Sequence, residues 1–113
     1  MRAGKLRHRI QLQRFTTIVN PATGDRTQAW AAVEGADSLP AEVVPLSGRE
    51  FLAAAASQST VTSRIQIRWR AGVTAAHRLV HGDVIYNIEA VLPDNKSGRE
   101  WLTLMCSQGV NDG

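Results

Sequence analysis

A mainly β fold, a small antiparallel barrel or sandwich of six or seven short strands with one brief helical insertion, is what the sequence predicts. Three observations predict it. Apolar and polar residues alternate with period 2 in several short runs, turn-forming residues separate those runs at short intervals, and a single stretch, Ser47 to Ser57, departs from the alternation. At 113 residues the chain fits one domain, 1–113, with 43% hydrophobic and 20% charged residues, close to the average of globular chains. Much of the apolar content is alanine, and the aromatics are only Phe15, Trp30, Phe51, Trp69, Tyr86 and Trp101. The core is therefore expected to be thin, a condition that small domains often relieve by oligomerising.

The first strand is read from Leu6 to Leu12, where Leu6, His8, Ile10 and Leu12 share the inward parity and Arg7, Arg9 and Gln11 the outward one. The run NPATGD at 20–25 is dense in turn formers and leads to a returning strand around Trp30, from Thr27 to Val33, which together make a hairpin. Ala41 to Leu46 forms a third short strand, with Pro45 confining it to an edge or a strand end because proline donates no ladder hydrogen bond. SGREFLAAAAS, with Glu50 and four successive alanines, then favours one or two helical turns.

Val61 to Arg70 alternates most cleanly: Val61, Ile65, Ile67 and Trp69 fall on one face, Thr62, Arg64, Gln66, Arg68 and Arg70 on the other. Arg78 to Val80 reads as extended, Gly82-Asp83 as a turn, and Val84, Tyr86, Ile88 and Leu92 as one parity of the next strand. PDNKSG loops into Trp101 to Cys106, where Trp101 and Met105 face one way and Leu102, Leu104 and Cys106 the other. Two apolar faces predict that both meet protein. Residues 108–113 read as a flexible tail.

Few residues offer chemistry. Cys106 is the only cysteine, so no internal disulfide forms, and no apolar run of transmembrane length or signal-peptide core is present; the cytoplasm is the natural compartment. His77, His81, Asp83 and Cys106 are types that zinc accepts, but a spacing of four aligns two histidines only on a helix, and the surrounding pattern is β-like. Cys106 in a strand reads as a buried, inert thiol rather than a nucleophile. Carboxylates stand singly and the glycines form no phosphate-cradling motif, so neither an enzyme nor a cofactor is expected. The net charge of +3 is mild but uneven, with five basic and no acidic residues between Met1 and Arg14. Arg7 and Arg9 on one strand, with Arg64, Arg68 and Arg70 on another, suit an acidic partner or a phosphate backbone; the simpler reading is solvated arginine that discourages edge pairing.

Taken in order, GKLRHRIQLQ, the Gly24 turn leading to Trp30, AEVVPLSGRE, RIQIRWRAGV, HGDVIYNIEAV and WLTLMCSQ resemble the head-tail joining proteins of tailed bacteriophages and prophages, also called head-tail adaptors or head closure proteins. The resemblance runs from Gly4 to about Gln108. It implies a small antiparallel β-barrel with a short helix or long loop inserted after the early strands, here 47–59, acting as one subunit of a homo-oligomeric ring in the virion. Such a ring lies below the portal and its adaptor, keeps packaged DNA in the head and docks the tail, while the free subunit can be monomeric.

On this resemblance, Ser47, Gly48, Arg49, Glu50, Phe51 and Leu52 are the candidate channel-facing or partner-docking segment. Arg7, Arg9, Arg64, Arg68 and Arg70 are candidates for facing DNA or an acidic partner, and Trp101, Leu102 and Leu104 for the subunit interface. The insertion departs from expectation for a DNA gate, because Arg49 and Glu50 are its only charges. Assembly takes place in the host cytoplasm, with no membrane partner. Two other readings stand beside this one: a tail terminator or completion subunit, and a stand-alone small barrel that binds nucleic acid.

Overall fold

The computed structural model describes residues 6–94 and 98–109. Seven antiparallel strands and one helix follow in the order β1 (His8–Val19), β2 (Arg26–Ala32), β3 (Leu39–Pro45), α1 (Gly48–Ala56), β4 (Ser63–Arg68), β5 (Arg78–His81), β6 (Val84–Pro93) and β7 (Trp101–Gln108). Six of them close a barrel, β1-β3-β4-β7-β6-β5, completed by the pairing of β1 with β5; β2 is an additional strand on β1. Closure removes the sheet edges that a small open sheet would leave exposed.

β1 is shared among three partners. His8, Arg9 and Ile10 pair with β3, Gln11 to Gln13 with β5, and Gln13 to Val19 with β2. Past Gln13 the ribbon of β1 and β2 therefore leaves the barrel as a two-stranded arm. Six further residues at about 3.3 Å each carry it about 20 Å outward, which suits the elongated extents of 52 × 31 × 23 Å. At its tip, Asn20 N–H donates to the Asp25 carbonyl at 2.8 Å and Gly24 N–H to the Asn20 carbonyl at 2.7 Å, with Gly24 at φ 74°, a left-handed conformation glycine adopts without steric cost.

The core is aliphatic, built from Ile10, Leu12, Ile65, Ile67, Leu79, Ile88, Leu102 and Leu104 together with small Ala36, Ala41 and Cys106. The inward parity read for β1 holds at Ile10 and Leu12 but not at His8, which is exposed and meets the ring of His81 edge-on at 4.9 Å. In β4 the inward set is Ser63, Ile65 and Ile67. Trp69 lies past the strand end, is 40% exposed and faces the Arg99 guanidinium at 6.0 Å, so it leaves the core face.

β6 departs from its expected parity for a definite reason. Ile88 faces Cys106 and Ala90 faces Met105, so Glu89 is the extra residue of a bulge, and the bulge reverses the alternation. Tyr86 and Ile88 pack on the core before it and Val91 after it, while Leu92 turns outward. The chain end also differs from a tail beginning at 108: Gln108 closes β7 and Gly109 N–H donates to the Ile85 carbonyl at 2.6 Å. Residues 110–113 lie outside the described residues.

Candidate assembly surfaces

α1 starts where Ser47, in extended backbone, caps it. Ser47 Oγ accepts from Glu50 N–H and Glu50 Oε1 accepts from Ser47 N–H, each at 3.2 Å, a reciprocal box that satisfies two otherwise orphaned donors. The same carboxylate reaches the barrel, with Arg64 Nη1 at 2.8 Å from Glu50 Oε2 and Arg64 Nη2 donating to Oε1 at 3.1 Å. The Ser47 hydrogen bonds first, and Arg64 after them, hold the Glu50 carboxyl below its ordinary range. No residue of α1 is buried, and Phe51 and Leu52 are 51% and 70% exposed. The segment Ser47, Gly48, Arg49, Glu50, Phe51 and Leu52 is thus a helix start presented on the outside of the barrel.

The five arginines do not form one patch. Arg64 is half-buried and committed to Glu50, and Arg70, beyond the end of β4, points its guanidinium at the Glu34 carbonyl at 3.5 Å. Arg9 and Arg68 do come together: Arg9 faces Pro40, and continuing the Ala41–Ile67 register by one step sets Pro40 beside Arg68. Two strand spacings separate the two arginines by about 10 Å on the outer surface. Arg7, exposed, lies just before β1.

Leu102 and Leu104, expected at a subunit interface, are instead core residues at 4% and 0% exposure, because the barrel closes over that face of β7. What remains available is the opposite face. Trp101, Thr103 and Met105 line an outer groove of about 720 Å³ with Glu42 and Val44 of β3, Arg64 and Gln66 of β4, and Leu92 to Asp94. Glu42 Oε2 is withdrawn from solvent in this groove with no hydrogen-bond partner. Met105 also borders a second cleft of about 370 Å³ beneath α1, walled by Leu46, Ala53, Ala54 and Val61. Trp101 and Met105 are thus presented outward, as the alternation requires.

Two features escaped sequence reasoning. The arm exposes Phe15, Ile18 and Val19, and its β-branched run from Thr16 to Val19 was the available signal for a longer strand. Arg78, 6% exposed, donates through Nε to Gln13 Oε1 at 2.7 Å and lies over the Trp30 ring at 4.4 Å, which in turn meets Phe15 edge-on at 5.3 Å. This arginine clamps the base of the arm to the barrel, partly by cation–π attraction; a single arginine in an extended run carries no sequence mark of that role.

The groups that zinc accepts are dispersed. His77 closes a turn against Thr74, His81 sits in β5 beside His8, Asp83 is in the following turn, and Cys106 is in the core. Burial, with Glu89 contributing, pushes the Cys106 thiol up to about 12. Among the described residues no cluster of three or more potential metal ligands occurs, and no helix is long and apolar enough to cross a membrane.

Comparison with known proteins gives concordant results. The sequence profile of a family described as phage head completion protein matches residues 1–109. Head completion protein gp7 of Enterobacteria phage HK97 is 35% identical over 79 residues, covering 70% of this chain and 67% of that protein. The solution structure of protein SF1141 from Shigella flexneri 2a superposes with a TM-score of 0.71 at 28% identity, over 98% of this chain and 99% of the other. A chain from the virion of a native gene transfer agent particle shares the fold, with a TM-score of 0.55 at 19% identity over 90% and 94% of the two chains.

Proposed function

The chain belongs to the phage head completion protein family, and from that premise we propose that it forms, in several copies, a ring of the head-tail connector. The family is structural, acting in completion of the phage head. The ring lies below the portal and its adaptor, closes the DNA-filled head and supplies the surface on which the tail docks. The observation that carries this reading is the distribution of apolar surface: the arm exposes apolar side chains at one place on the small barrel, and the groove around Trp101, with the exposed start of α1 beside it, does so at another. A ring subunit with neighbours on both sides and layers above and below requires several such surfaces.

The arginines take a secondary part. With Arg64 committed to Glu50, the cation pair Arg9 and Arg68 faces either packaged DNA or an acidic neighbour, by sequence-independent electrostatics. Residues 47–59 dock against the adjoining ring or project toward the channel, Phe51 and Leu52 supplying the apolar contact. The test is to mix the purified protein with DNA-filled, tailless capsids and image the portal vertex. A ring added at that vertex supports the proposal. Attachment to tails alone favours a tail completion subunit, and attachment to neither overturns the connector role. Deleting 47–59 should leave the barrel folded while particles leak DNA or fail to join tails; intact, infectious particles would remove that segment from the mechanism.

A further inference from the structure

A two-stranded ribbon standing alone in water is marginal, yet the β1–β2 arm exposes Phe15, Ile18 and Val19 at 53%, 45% and 53%. In the β1–β2 register Phe15 faces Trp30 and Val19 faces Arg26. Directly opposed residues share a face, so Phe15, Val19 and Arg26 lie together on one side of the ribbon. That face carries Phe15, Trp30 and Val19, with Thr17 opposite Gln28 between them, ends in the cation Arg26 and holds no acidic residue.

The outer groove is its chemical complement. Val44, Trp101 and Met105 are its apolar walls, and Glu42 brings a carboxylate oxygen that is withdrawn from water without a partner. Such an oxygen costs free energy until a donor reaches it. The groove's own cation, Arg64, does not serve, being bound to Glu50 at 2.8 Å.

The arm cannot reach the groove of its own chain. His8 faces Ala41, so Glu42 to Pro45 run past the start of β1, whereas the arm leaves from the other end. Eleven residues of extended chain, about 35 Å, separate Val19 from His8. We propose that the arm of one copy seats in the outer groove of the next, with Phe15 and Val19 against Trp101 and Met105 and Arg26 on Glu42. Two different surfaces then meet head to tail, the type of contact that closes into a ring when the rotation permits. Closure around the portal rests on the head-completion reading above; the pairwise contact does not.

The test is paramagnetic relaxation by NMR, which detects even weak contacts between copies. A nitroxide is placed on the opposite face of the arm through Thr16→Cys, which faces Ala29, Cys106 being buried in the core, and this protein is mixed with ¹⁵N-labelled wild type that carries no spin label. Enhanced relaxation at Val44, Thr103 and Met105 amides of the ¹⁵N copy is the expected result. Glu42→Arg in the ¹⁵N copy should weaken the effect about tenfold, and Arg26→Glu in the spin-labelled copy should restore it. Enhancement elsewhere on the barrel, or none, overturns the proposal, as does indifference to the charge reversals; unchanged ¹⁵N spectra of the variants outside the altered sites establish that they fold. Loss of the contact with the protein still adding to capsid vertices sinks this inference alone. Failure to add to vertices counts against the head-completion role, with the NMR result standing for or against the contact by itself.

Discussion

Leu104 and Trp101 sit three residues apart on β7 and face opposite ways, so truncating each to alanine separates folding from assembly. Leu104 is fully buried among aliphatic side chains. Leu104→Ala removes the transfer free energy of the lost side-chain carbons and leaves a cavity in the aliphatic core, so a loss of about 3 kcal/mol is expected, within the range of about 2–5 for such changes. For a domain of this size each kcal/mol shifts the melting temperature by about 4–8 °C, so melting should fall by roughly 12–24 °C. Trp101→Ala removes a ring that lies half-exposed on the outer groove, and should lower the melting temperature of the isolated chain by no more than about a third of that. At the capsid vertex the order reverses: below its melting temperature the Leu104 variant still adds, whereas the Trp101 variant does not. Thermal denaturation followed by circular dichroism, with vertex occupancy counted by electron microscopy, reads both. Equal melting shifts, or a Trp101 variant that assembles normally, would refute the division of β7 into a core face and a contact face.

Four further outcomes follow from individual groups. Ser47→Ala removes one half of the capping box and should cost α1 about 1 kcal/mol, seen as faster amide exchange through Gly48–Ala56 with the strands unchanged. Glu50 titrates at a lowered value in the folded chain, so its contribution is fully present above the ordinary glutamate range near roughly 4.3 and is lost as pH falls through the folded value; α1 should lose exchange protection on acidification before the barrel does, and Glu50→Gln should flatten that dependence. The Cys106 thiol, buried and raised to about 12, should resist thiol reagents at pH 8 and react only on unfolding; stoichiometric labelling of the native chain would contradict its place in the core. Finally, if Arg9 and Arg68 approach phosphate, Arg9→Ala with Arg68→Ala should lower the salt slope of DNA association by about 2, while Arg64→Ala, whose charge is taken by Glu50, should alter it less.

Much of the barrel was legible because period-2 alternation marks a strand whose two faces meet different surroundings. Ile10 with Leu12 and Ile65 with Ile67 fell where their parity put them. The helix at 48–56 was legible for the same kind of local reason, Glu50 and a run of four alanines, whereas the Ser47 cap that starts it was seen only in the structure. The string of motifs from GKLRHRIQLQ to WLTLMCSQ led to the right family, since shared ancestry is written in the residues themselves.

Tertiary structure alone decided the rest, and the reasons are physical. Alternation states that a strand has an inside and an outside but not what lies opposite, so Leu102 and Leu104 could be assigned to a neighbour when barrel closure had already buried them. One extra residue at Glu89 reverses parity without altering composition, which sent Leu92 outward and Val91 inward. Charge is visible in a sequence but its partner is not: Arg64 joined Glu50 across fourteen residues, and Arg78 reached Gln13 across sixty-five. The arm emerged for the same reason, because only the registers of β1 with β3, β5 and β2 show where one strand stops belonging to the barrel and begins to extend beyond it.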